Sequence, residues 1–309
     1  MRVLAFGAGV IGSAYAGRLL QVGNEVTLLA RNARLAVLRA EGLMLEEPLV
    51  ETRTSFDVRA TDVLGVTDTF DLVVVAVRAK QLLDTLPLLG GMTDSSDVLF
   101  LGDLAPFRSQ LADTLGPRAL FGFPSISGVQ EGSTTRYAQI GRHKTVLSEP
   151  NGAMTARIRR IQTELSIAGF PTVISANIHD WMLAHDAFVV PIACALERAG
   201  GDTGRLSADT GTLRLMVAAI REAFTGLRHH GDTEIPENLQ IAYRDVPTLV
   251  LLAHWRRVLR DQRGELWFGA HARSTADELH LRVSELRAAL GTRSHETPAL
   301  DQLVFAVRP

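Results

Sequence analysis

Gly7-Ala8-Gly9-Val10-Ile11-Gly12 reads G-x-G-x-x-G, with an apolar run directly before it and a helical pattern directly after. Those flanks give a common glycine pattern its meaning, because the loop then joins a strand to a helix N-terminus. Gly7 permits the tight turn, Gly9 lets a ligand close on the backbone, and Gly12 lets the helix pack on the strand. The N–H groups of the first helical turn, around Val10 and Ile11, then face a pyrophosphate. The competing account is a glycine turn that binds nothing; position, flanks and spacing together weigh against it.

The second strand separates one dinucleotide from another. An NAD site places Asp or Glu about 20 residues after the first glycine, where it accepts from the ribose hydroxyls. The window Thr27-Leu28-Leu29-Ala30-Arg31-Asn32 holds no acid, but it holds Arg31, with Arg34 nearby. A guanidinium there can fork onto a 2′-phosphate. Arg78, just past a third apolar strand, is expected at the carboxyl edge of the sheet, where the cofactor crosses. The cofactor expected is therefore NADP(H). The alternative for Arg31 and Arg34 is a pair of solvated loop arginines.

The elements that would position these residues follow from hydrophobic pattern. Arg2–Phe6, Glu25–Ala30, Asp71–Val77, Val98–Leu101 and Ala119–Gly122 read as parallel strands buried on both faces. Helical patterns over 13–22 and 33–41 alternate with them, which predicts a right-handed, doubly wound α/β sheet of Rossmann type. Tyr137–Leu147 reads as antiparallel strands on the sheet edge. After a helix over 154–168 and a short strand at Pro171–Ile174, the chain reads as helix throughout. The segments expected are 176–199, 207–229, 236–263, 275–290 and 298–307. The pattern divides the chain into a Rossmann domain, residues 1–170, and an all-helical substrate and dimerisation domain, residues 171–309.

A formal charge of −2 gives no electrostatic reason to expect nucleic acid or an anionic membrane as partner. No apolar stretch approaches the ~20 residues of a membrane span. The single cysteine, Cys194, lies in an apolar run and reads as core packing, which suits a reducing cytoplasm. The scattered histidines (His229, His230, His254, His271, His280) lack convergent spacing, so no metal is expected.

The sequence resembles the ketopantoate reductase family along nearly its whole length. The residues that carry this are Gly7–Gly12 with Ser13, Leu29–Leu35, Leu38–Leu43, Asp71–Arg78, Gly122-Phe123-Pro124, Ala176-Asn177-Ile178 with Trp181, and Thr297–Asp301. The resemblance implies NADPH-dependent reduction of a 2-oxo acid in a cleft between the two domains, and a homodimer paired through the helical one. It also implies a lysine that protonates the developing alkoxide, nearby asparagines that orient substrate, and a supporting glutamate on a later helix.

This chain departs from that pattern. The lysine position, two residues after the tryptophan, is Leu183; the asparagine one turn on is Ala187; the asparagine after strand Val98–Leu101 corresponds to Asp103. No lysine follows Lys144. Losing the ammonium removes both the proton donor and the charge that steadies an alkoxide. Three readings of the loss stay open. In one, another acid has taken over: His179, Asp180 and Asp186 flank Leu183 on one helical face, and Asp103 lies where substrate meets cofactor. In the second, the fold is repurposed for non-reductive chemistry on a bulkier, less polar intermediate. In the third, the chain is a non-catalytic NADP(H)-binding sensor or partner. Ketopantoate itself is not the substrate expected, since a carboxylate at position 103 would repel a 2-oxo acid.

Overall fold

Strand-forming and helix-forming stretches alternate through the first 178 residues. The strands are β1 (Arg2–Phe6), β2 (Glu25–Leu29), β3 (Leu43–Glu47), β4 (Thr52–Phe56), β5 (Arg59–Thr61), β6 (Leu72–Val75), β7 (Asp97–Leu101), β8 (Ala119–Phe123), β9 (Ile126–Glu131), β10 (Thr134–Gln139), β11 (Thr145–Ser148) and β12 (Thr172–Ile174). Between them lie α1 (Val10–Gln21), α2 (Asn32–Glu41), α3 (Ala79–Gly90), α4 (Arg108–Leu115) and α5 (Ala156–Ile167). The structure, a computed structural model, describes residues 1–65, 68–92, 96–102, 107–228, 235–274, 276–291 and 297–305.

Eight strands form one sheet in the order β12-β11-β8-β7-β6-β1-β2-β5. Every neighbouring pair is parallel except β11 with β8. Its central strands are buried on both faces, as their unbroken apolar sequences require. Each such leucine, valine or phenylalanine contributes roughly 1.5–3 kcal/mol by leaving water. The expected Rossmann-type sheet is therefore present.

A second sheet, β4-β3-β10-β9, packs on α1 and was not expected from the sequence. The segment from Tyr137 divides: β10 joins this second sheet, and only β11 lies in the main one. The chain separates into two compact units, Met1–Ile178 and His179–Pro309. The division falls eight residues beyond residue 170, because β12 pairs with β11 in the first unit's sheet.

The second unit is helical: α6 (Ile178–Arg198), α7 (Thr203–Ala208), α8 (Thr210–Arg228), α9 (Glu237–Asp245), α10 (Thr248–Arg260), α11 (Gln262–Gly264), α12 (Ala270–Ser274), α13 (Ala276–Gly291) and α14 (Pro298–Phe305), with a π segment at Glu265–Gly269 between α11 and α12. The expected helix 236–263 is broken, and the expected helix 207–229 begins at Thr210, after a short helix, α7, that was not expected. Asp209 ends α7, and its carboxylate caps α8 by accepting from the Thr212 N–H at 3.0 Å and the Thr212 hydroxyl at 2.6 Å. Pro247, with Val246 extended before it, separates α9 from α10. Residues 229, 230, 231, 306 and 307 lie outside the described residues. No described helix is long and apolar enough to cross a membrane.

Candidate nucleotide-binding and catalytic residues

The glycine loop grows directly from β1 and ends in α1, which starts at Val10 with Gly9 as its N-cap. Three neighbouring strands deliver the candidate residues to one edge. Phe6 at the end of β1 pairs with Leu29 on one side and Val75 on the other. Gly7 follows Phe6, Arg31 follows β2 by two residues, and Arg78 follows β6 by three. The loop, Arg31 and Arg78 thus all issue from the carboxyl end of the sheet.

The three glycines are held by different demands. Gly7 has φ +107°, and a Cβ there would lie 2.6 Å from the Ala76 carbonyl oxygen. A Cβ on Gly12 would lie 1.9 Å from the Gly7 carbonyl oxygen, so glycine alone lets α1 approach the turn. Gly9 is different. Its φ and ψ of −74° and −170° suit any residue, and no described atom lies within 4 Å of a Cβ built on it. Val10 and Ile11 are half-buried at the start of α1.

The arginines separate into two kinds. Arg31 is exposed and forms the N-cap of α2, and Arg78 is exposed and forms the N-cap of α3. Arg34, also expected as a phosphate ligand, is half-buried and hydrogen-bonded within the fold. Its Nε donates to the Ala8 carbonyl at 3.2 Å and its Nη1 to the Ser133 carbonyl at 3.0 Å. Its Nη2 donates to the Ser13 hydroxyl at 3.2 Å and the Thr135 hydroxyl at 3.1 Å. Burial lowers its affinity for a proton, though a guanidinium remains charged regardless. The sequence assigns no role to Ser13, Ser133 or Thr135; Ser13 directly follows the motif, whereas the other two lie 99 and 101 residues from Arg34.

In the second unit, Leu183 and Ala187 lie within the apolar core cluster, 8% and 0% exposed. Asp186 is buried and paired with Arg282 on α13. That pairing gives Asp186 a structural partner on a neighbouring helix. His179 is exposed and Asp180 half-buried in the first turn of α6. The His185 ring stacks on Trp181, centroids 5.3 Å apart. Asp103 lies outside the described residues. A later glutamate, Glu222 on α8, accepts the N–H groups of Ala299 at 2.9 Å and Leu300 at 3.1 Å, and so caps α14.

Residues 3–152 match the family model for ketopantoate reductase, PanE/ApbA. A Bacillus subtilis (strain 168) protein described as "Uncharacterized oxidoreductase YkpB" is 24% identical over 297 residues, covering 94% of this chain and 96% of its own. Among solved structures, 2-dehydropantoate 2-reductase from Geobacter metallireducens GS-15 superposes with a TM-score of 0.73 at 15% identity, covering 99% of both chains. D-mandelate dehydrogenase, in its ternary structure with NADH and anilino(oxo)acetate, superposes with a TM-score of 0.72 at 18% identity, covering 99% of this chain and 97% of that one. At such identities the two solved structures share the fold. The first unit, whose glycine loop and arginine segment fall within the matched residues, carries a ketopantoate reductase (PanE/ApbA) domain.

Proposed function

We propose that this member of an oxidoreductase family binds NADP(H) and reduces a carbonyl compound other than ketopantoate. Gly9 carries the cofactor reading. Its conformation and open surroundings make no demand for glycine, so the demand comes from what approaches it. A pyrophosphate against the first turn of α1 supplies that reason, with Val10 and Ile11 presenting their N–H groups. Arg31 and Arg78 stand exposed at the same edge and suit the 2′-phosphate and the rest of the dinucleotide. D-mandelate dehydrogenase is a fold neighbour solved with NADH. Selectivity between the two nucleotides is therefore the point to measure.

The substrate reading rests on Leu183 and Ala187. Apolar residues where the family pattern has a lysine and an asparagine remove polar groups that would hold a 2-oxo acid, which favours a less polar ligand. A nicotinamide nucleotide supplies hydride when bound. Asp103, His179 and Asp180 are the candidates to place a proton on the developing alkoxide.

Fluorescence titration with NADPH and NADH, followed by ketopantoate and then a panel of aliphatic and aromatic ketones, tests this. Tight NADPH binding, no oxidation with ketopantoate and oxidation with another ketone is the expected result. Rapid turnover of ketopantoate would refute the substrate reading, and failure to bind either nucleotide would refute the cofactor reading. The absence of a side-chain amine at position 183 also favours a second reading, nucleotide binding without hydride transfer. Tight binding with no turnover across the panel selects that one.

A further inference from the structure

We propose that Arg34 is a positioning residue for the nucleotide: it sets the direction of the Gly9 N–H and leaves the 2′-phosphate to Arg31. The proposal rests on the NADP(H) reading above and says how the loop is made ready for it.

The Ala8 carbonyl accepts two hydrogen bonds, from Arg34 Nε at 3.2 Å and from Ser13 Oγ at 3.1 Å. Ala8 C=O and Gly9 N–H belong to one planar trans peptide and point in opposite directions. Holding the carbonyl therefore fixes the direction of the Gly9 N–H, at a residue where even an added Cβ would meet no described atom within 4 Å. The aim is fixed before any ligand arrives, which removes an ordering cost from binding.

Arg34 is itself fixed from the far side. Its Nη1 and Nη2 reach the β9–β10 hairpin at Ser133 and Thr135. The donors and acceptors run consistently through this network. The Thr135 hydroxyl accepts from Arg34 and donates to Gln130 Oε1 at 2.8 Å, and the Gln130 amide nitrogen donates to the Gly132 and Thr134 carbonyls. The Ser13 hydroxyl accepts from Arg34 and donates to Ala8. Swinging Arg34 out to a phosphate would forfeit four hydrogen bonds to three separate segments. Arg31 is already exposed three residues earlier and forfeits none of them. The second sheet acquires a task by this route, because its hairpin braces the arginine that braces the loop.

The test is the dissociation constant for NADPH and for NADH, with thermal unfolding of the unliganded protein, in Arg34→Met, Arg34→Lys, Thr135→Val and Arg31→Ala. Arg34→Met is expected to weaken both nucleotides by a common factor of about tenfold, the scale of one charge-assisted hydrogen bond. Arg34→Lys is expected not to rescue, because an ammonium cannot span the planar fork. Thr135→Val, nearly isosteric, is expected to weaken both by about threefold. Arg31→Ala is expected to weaken NADPH alone. Selective loss of NADPH in Arg34→Met, or its retention in Arg34→Lys, would overturn the proposal in favour of direct phosphate contact. Unchanged affinities in Thr135→Val would reduce Arg34 to a strut, and that variant decides if Arg34→Met fails to fold. A wild-type chain that binds neither nucleotide overturns the cofactor reading and this one with it; unchanged variants of a binding wild type overturn only this one.

Discussion

Gly12→Ala and Gly9→Ala are expected to part company. The added methyl at position 12 collides with the Gly7 carbonyl oxygen, so this variant should lose about 1–3 kcal/mol of stability in urea denaturation. At position 9 the methyl meets no described atom, so stability should hold within about 1 kcal/mol while nucleotide affinity falls at least tenfold. Equal stability losses in the two variants would refute this division. The motif itself was legible in the sequence because its flanks are local. The role of Arg34 was not: its partners Ser133 and Thr135 lie 99 and 101 residues away, beyond any pattern of spacing. The same limit hid the burial of Asp186, whose partner Arg282 is 96 residues distant.

Glu222 and Glu149 each pin the start of a helix, and each pin can be pulled. Glu222 reaches from α8 to the first N–H groups of α14, where a negative charge also complements the helix dipole. Glu222→Ala should cost about 1–2 kcal/mol and loosen α14 first, read as faster amide exchange at its core-facing Leu300 and Leu303. At the start of α5, Glu149 is buried and holds Arg157 and the Thr155 hydroxyl. Burial works against its charge, but the hydrogen bonds from Arg157 and Thr155 and the Arg157 charge outweigh it. The carboxyl is thereby held below its ordinary range. A depressed folded value means stability that is fully present above the unfolded glutamate pKa. It is lost as pH falls from there through the folded value. Below about pH 4.5 the unfolding free energy should therefore drop, and in Glu149→Gln that part of the acid limb should flatten. A variant with an unchanged acid limb would show that other carboxylates govern it. Caps such as Asp209, followed by Thr210-Gly211-Thr212, were readable as a break between α7 and α8. The expected helix 207–229 starts only at the end of α7, so the sequence misses α7 rather than running through the cap, whereas continuous helical periodicity hides the break at Pro247.

Each unit has its own apolar core, and the single thiol reports on one of them. Burial pushes the Cys194 thiol up to about 12, so it stays neutral and enclosed at pH 7. Native protein should react with a colorimetric thiol reagent only at the rate at which the second unit opens. Fast labelling of folded protein would contradict the enclosure. At this scale the main sheet was legible because strands buried on both faces leave unbroken apolar runs. The second sheet was not, since β4 (Thr-Arg-Thr-Ser-Phe) is almost wholly exposed and leaves no such trace.

The order of strands in the main sheet also sets a timetable. β11 antiparallel to β8 is covered on its outer side only when β12 arrives, and α5 must be made in between to supply Ile158, Ile161 and Leu165 to the core. During synthesis, then, a chain released as far as residue 152 has all its glycine loop and most of its sheet but an open edge at Thr145–Ser148, a strand wholly buried in the finished fold. Such an edge is a template for a neighbouring nascent chain. A fragment of residues 1–152 should aggregate where 1–178 remains dispersed, which makes the last twenty-six residues of the first unit its seal rather than its linker.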